Sequence, residues 1–141
     1  PLKENHASMA NITVKKNDGT TDIVYDVQTA SSGDNNPAVW RQDTGAPAAL
    51  PVGLRALLSL WTKWNGSKTA RQASYKYVRP YAVQNTTTTL YTSAGEVVIS
   101  GMATIPQGLP ATEINESISQ GMNLLAAALI KDAMKSGYSP T

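Results

Sequence analysis

Two short runs carry the side chains best placed to recognise something. Ser59, Trp61 and Lys63 alternate in the first, Gln72, Ser74 and Lys76 alternate in the second, and Asn65-Gly66 lies between them. On an extended chain alternate residues share a face, so each run would gather an ammonium, a hydroxyl and an indole or amide on one side. These groups bind rather than transform. The charge around them agrees: between Thr44 and Gly95 the chain has Arg55, Lys63, Lys68, Arg71, Lys76 and Arg79 and no Asp or Glu. That interval carries +6 and the remainder −4, so a net charge of only +2 conceals a strong segregation. A basic sheet suits a polyanion; a solvated surface that merely lacks acids is the plainer alternative.

Catalysis fits poorly. The chain has no cysteine and a single histidine, His6, in a polar stretch where a lone imidazole is more often inert than a ligand. Neither metal-ligand spacing, a phosphate-cradling glycine loop nor a nucleophile motif is present. The sequence therefore names no catalytic residue, no metal site and no cofactor, and reads as non-enzymatic.

Elements must hold the two runs side by side. Asn-Gly between apolar-rich segments predicts a hairpin through a type I′ turn, with positive φ at both turn residues. A second hairpin is predicted where Asn17-Asp18-Gly19-Thr20 joins Asn11–Lys16 to Thr21–Val27. Residues 28–37 are loop, Ala38–Gln42 a short strand anchored by Trp40, and 44–53 an Ala/Pro surface loop. Pro80 should interrupt the ladder, with a strand resuming at Tyr81–Gln84. Asn85–Ala94 should project as a loop, and Glu96–Ile105 should be a strand with a bulge at Gly101. The last element is helical: Thr112 can cap it, Glu113 and Glu116 suit its start, Lys131 and Lys135 suit its end, and Gly137 can stop it. Ile114, Ile118, Met122, Leu125 and Leu129 form one apolar stripe. Strands first and helix last give an α+β fold. At 141 residues this is one domain. Residues 1–8 read as a mobile extension or vector-derived leader and 9–141 as the domain, with no membrane-spanning run.

The stretch NGSKTARQASYKYVRP, Asn65 to Pro80, resembles the central hairpin of the coat proteins of single-stranded RNA bacteriophages, the levivirus type. PVGLR at Pro51–Arg55, ATIP at Ala103–Pro106 and LLAAALIKDAM at Leu124–Met134 resemble, in order, the approach to that hairpin, the end of the last strand and the C-terminal helices. Leu54, Leu57, Leu58, Trp61 and Trp64 fall at helical spacing. The turn, the β-rich partner and this resemblance together make Leu54–Trp64 a strand instead.

The resemblance implies a specific architecture: an N-terminal hairpin, an antiparallel sheet of about five strands, and a C-terminal segment of one bent or two helices. It implies an obligate homodimer with one continuous sheet, assembled into an icosahedral shell around single-stranded RNA. It also implies a virion protein assembled in the bacterial cytoplasm. Carried over by position, Lys63, Ser74 and Lys76 face RNA, with Ser59 and Trp61 beside them. Lysine would meet phosphate, the hydroxyls phosphate or base, and an exposed Trp an unpaired base; Trp61 equally suits a core position. Some relatives read an operator hairpin with a Tyr and an Asn on the last strand, where this chain has Val98 and Ser100. Two other readings stay open. One is a dimeric cellular RNA- or single-strand-binding module that forms no shell, and the other is an oligomeric structural protein whose basic sheet is incidental.

Overall fold

The computed structural model describes residues 6–141. The part of the predicted leader at 1–5 lies outside them. One compact unit ends at Thr104, and a second covers Ile105–Thr141.

Six antiparallel strands form one sheet in sequence order: β1 (Ile12–Lys15), β2 (Asp22–Thr29), β3 (Ala38–Arg41), β4 (Leu57–Trp64), β5 (Ala70–Gln84) and β6 (Tyr91–Pro106). Short 3-10 turns at Ala46–Ala49 and Val52–Leu54 link β3 to β4. Leu57–Trp64 is a strand in spite of its helical spacing. It pairs with β3 through Leu57–Leu60 and with β5 along its whole length, so ladder bonds to two neighbours outweigh the modest helix preference of Leu.

The Asn65 turn is not the expected one. Asn65 N–H donates to Ala70 O (2.9 Å), Lys68 N–H donates to Asn65 O (3.0 Å), and the positive φ falls at Lys68 (56°), not at Gly66. The loop is therefore four residues long, 66–69. The Asn65 side chain holds it by accepting from the N–H groups of Thr69 and Ala70. The first hairpin closes the same way, Lys16 N–H to Thr21 O, but puts Gly19 (φ 74°) at the left-handed position.

Pro80 does not interrupt β5. Pairing with β4 ends at Val78 opposite Leu57, so the missing N–H falls where β4 has no acceptor to offer. The loop joining β5 to β6 is also shorter than expected, because β6 already begins at Tyr91. Gly101 lies inside unbroken β6 and answers a close approach: a Cβ there would stand 2.5 Å from the Tyr75 hydroxyl oxygen.

The core is small. Tyr25, Trp40 and Ala56 are its buried members, with Met9, Ile12, Ile23, Ala38, Leu58 and Tyr77 packed around them. Its polar atoms are satisfied. Trp40 Nε1 donates to Ala10 O (2.8 Å), Gln42 Nε2 donates to the Tyr25 hydroxyl (2.9 Å), and that hydroxyl meets the Tyr77 hydroxyl (2.8 Å). Burial, then Tyr77, pushes the Tyr25 phenol well above its ordinary pKa.

The C-terminal unit holds two helices, α1 (Ala111–Leu125) and α2 (Ala128–Ser136). Thr112 is not the cap. Pro110 takes that position, and its carbonyl accepts from Glu113 and Ile114; its fixed φ suits a helix start. The helices part at Ala127, which is extended (φ −65°, ψ 148°), although alanine is the strongest helix former. Local propensity opposes this break. Gly137 ends α2 in the left-handed conformation, as expected.

Candidate nucleic-acid interface

The β4–β5 register assembles the predicted residues. Ser59 stands opposite Lys76, Trp61 opposite Ser74, and Lys63 opposite Gln72. Directly opposed residues in an antiparallel pair point to the same side, so all five predicted side chains share one face. Gln72 completes the set. Its alternation with Ser74 and Lys76 already placed it there, but an uncharged amide carries no signal in a charge count.

The other face of the same strands is apolar, with Leu58 and Leu60 opposite Tyr77 and Tyr75, and it joins the core. The missing Cβ of Gly101 points at Tyr75. Alternation along β6 therefore puts Val98 and Ser100 on the side of Ser74.

Most polar side chains elsewhere on the sheet are engaged. Asp43 accepts from Arg41 Nε (2.7 Å), Arg55 Nη1 (2.8 Å) and Gln28 Nε2 (2.6 Å). The Arg41 guanidinium above all, helped by Arg55 and Gln28 and opposed by burial, holds the Asp43 carboxyl at about 2. Arg55 also donates to Leu50 O and Ala48 O, and so braces the loop before β4. Asp34 accepts both Arg71 Nη2 (2.7 Å) and Nη1 (2.9 Å), and the guanidinium lies 5.0 Å from the Trp64 ring centre. The Asp34 carboxyl is held below its usual range by Arg71, with a smaller contribution from His6.

The six-charge patch is consequently narrower than the sequence suggests. Arg55 and Arg71 pair with Asp43 and Asp34, acids that lie outside the acid-free interval. Lys68 sits at the hairpin tip. Arg79 lines a groove of about 1020 Å³ that Tyr25, Tyr77 and Leu58 also line, on the apolar side. Lys63 and Lys76 remain on the candidate face. Neither forms an ion pair among the described residues.

The polar groups of this face are unspent. Among the described residues, the side chains of Ser59, Trp61, Lys63, Gln72, Ser74 and Lys76 make no hydrogen bond to the protein. None of their atoms is a buried orphan, so all are open to solvent or a ligand. Two cations, two hydroxyls, an amide and an indole can bind a phosphodiester chain and its bases without surrendering an internal contact. Among the described residues no cluster of His, Cys, Asp or Glu could hold a metal, and no helix is long and apolar enough to cross a membrane.

No protein-family profile and no curated protein matches the chain. Solved structures do match. The virus-like particle of Beihai levi-like virus 21 is similar with a TM-score of 0.76 at 17% identity, over 96% of this chain and 98% of that one. The virus-like particle of bacteriophage NT-214 gives 0.76 at 16%, over 96% and 99%. The bacteriophage GA capsid protein gives 0.72 at 16%, over 94% and 98%. The fold is that of the levivirus-type coat proteins.

Proposed function

We propose that this chain is the coat protein of a single-stranded RNA bacteriophage. Two copies form an obligate dimer with a continuous sheet, and dimers assemble into an icosahedral shell. The face bearing Lys63 and Lys76 lines the interior and binds RNA, so the protein resides in the virion after assembling in the bacterial cytoplasm. Its role is structural and not enzymatic.

The observation that carries this reading is the structural match, which runs over 96% of this chain and at least 98% of subunits that form virus-like particles. The unsatisfied surfaces support it. β6 is a sixteen-residue strand at the edge of the sheet, with Val97 63% and Met102 55% exposed. A long apolar edge is a template for another strand, and β6 of a second copy supplies one under two-fold symmetry. The two helices are similarly bare, with Leu125 of α1 54% and Leu129 of α2 65% exposed. A second copy gives both surfaces somewhere to go.

Electron microscopy of the purified protein, with measurement of nuclease-protected RNA, tests the proposal. Closed particles containing protected RNA are expected. RNA-binding dimers that form no particle would favour the single-strand-binding module, particles without RNA would leave the basic face incidental, and a stable monomer would overturn the proposal.

A further inference from the structure

Asn65-Gly66 is the one Asn-Gly pair in the chain. This dipeptide is prone to lose its own side-chain amide, because glycine brings no Cβ to hinder attack of its peptide nitrogen on the Asn side-chain carbon. Half of that reaction is ready here. Gly66 is exposed, its N–H donates to nothing among the described residues, and a Cβ built on it would meet nothing within 4 Å.

The other half is held. Asn65 Oδ1 accepts from the N–H groups of Thr69 (2.8 Å) and Ala70 (3.2 Å), and Asn65 Nδ2 donates to Thr69 Oγ1 (3.0 Å). The two N–H groups polarise the side-chain carbonyl, which by itself favours attack. Position opposes it and decides the outcome. The three bonds aim the amide across the loop at Thr69 and Ala70, whereas ring closure must swing its carbon onto the nitrogen of the very next residue. Thr69 Oγ1 also accepts from Nδ2, so it withholds the proton that a departing amine requires.

We propose that Asn65-Gly66 is a latent deamidation site, which the side-chain bonds of the hairpin tip keep shut and which opening of the tip releases. Once released, the Gly66 nitrogen gives up its proton and bonds to Asn65 Cγ, the Cγ–Nδ2 bond breaks, and ammonia leaves with that proton. Water then opens the cyclic imide at either carbonyl, to aspartate or isoaspartate. No oxidant or reductant takes part. The product puts a carboxylate in the interval Thr44 to Gly95, which has none. The Asn65–Ala70 pair extends the β4–β5 ladder by one step, so that charge stands in the column of Trp61 and Lys63. The chemistry is independent of whether that face binds RNA.

The full-length protein is incubated at neutral pH, native and in denaturant, and Asn65 is followed by peptide mass mapping and by enzymatic methylation of isoaspartate. One hydrogen bond is worth roughly 5-fold, so the three together should make native conversion about 100-fold slower than in the unfolded chain. Thr69→Ala removes the acceptor of Nδ2 and keeps the backbone N–H, so it should speed native conversion by roughly 5-fold and leave the unfolded rate alone. Ser67→Ala loses a hydroxyl contact to Thr69 but none of the three bonds. It should change neither rate, which separates the Asn65 bonds from a general loosening of the loop. Gly66→Ala should suppress most conversion in the unfolded chain, as the cyclic route requires. Equal rates in native and unfolded protein, a native rate indifferent to Thr69→Ala or equally raised by Ser67→Ala, or conversion undiminished in Gly66→Ala would overturn the proposal.

Discussion

Replacing Lys63 and Lys76 by alanine, singly and together, should lower the salt dependence of RNA binding in equal and additive steps. The two lysines belong to cross-strand pairs four residues apart along β4, Lys63 with Gln72 and Lys76 with Ser59. At the rise of a strand that is roughly 14 Å. It exceeds the Debye length at physiological salt, about 8 Å, and the distance beyond which substitutions generally add. Each lysine should therefore meet its own phosphate. On a single strand each phosphate contact contributes about 0.7 to the slope of log K against log salt, so the double variant should lose about 1.4. Between 50 and 200 mM salt, that is about 2.6-fold in affinity per lysine and about sevenfold for both. Stability should not fall, because neither lysine has a carboxylate to leave unpaired. Arg71→Ala is the counter-experiment: it strips Asp34 of its guanidinium and uncovers Trp64, so it should lower the melting temperature and leave the slope alone. Fluorescence anisotropy of a labelled RNA at four salt concentrations reads all of these. An unchanged slope in the double variant, or an equal loss in Arg71→Ala, would mean that the wrong face of the sheet has been assigned to RNA.

Leu125→Ala should cost little in an isolated copy, where the side chain is 54% exposed. It should raise the dimer dissociation constant if a second copy buries it, with about 2–5 kcal/mol at stake, as read by sedimentation over a range of concentrations. Lys68→Gly should stabilise by about 0.5–1 kcal/mol in denaturant titrations, because Lys68 holds a left-handed conformation (φ 56°) that glycine adopts without the Cβ penalty. Asp43 has a folded pKa of about 2, below the unfolded value of about 3.9. Its ion pairs therefore stabilise fully above about pH 4, and that stability is lost as pH falls through about 2. Asp43→Asn should flatten the melting-temperature profile across that window. Gly101→Ala should force the Tyr75 ring aside at a cost of about 1–3 kcal/mol, and most of that cost should vanish in a Tyr75→Ala background.

The two hairpins, the shared face of Ser59, Trp61, Lys63, Ser74 and Lys76, and the C-terminal stop at Gly137 were legible in the sequence. They depend on local rules: period-two alternation, turn composition and the left-handed tolerance of glycine. The apolar spacing of Ile114, Ile118, Met122 and Leu125 was legible for the same reason and falls within α1, but Leu129 belongs to α2, beyond a break at Ala127 that was not legible, since nothing local disfavours a continuous helix there. Composition named the turn at Asn65-Gly66 and mistook its geometry. The loop is set by the Asn65–Ala70 pair and by the hydrogen bonds of the Asn65 side chain, which a dipeptide does not encode. The size of the basic patch was misjudged because ion pairs reach across long stretches of chain. Arg71 finds Asp34 and Arg55 finds Asp43 only once the strands are aligned. Alternation along each run could place six side chains on a face, but only tertiary structure could decide which charges were already spent, because neutralisation depends on distance in space and charge counting runs along the sequence.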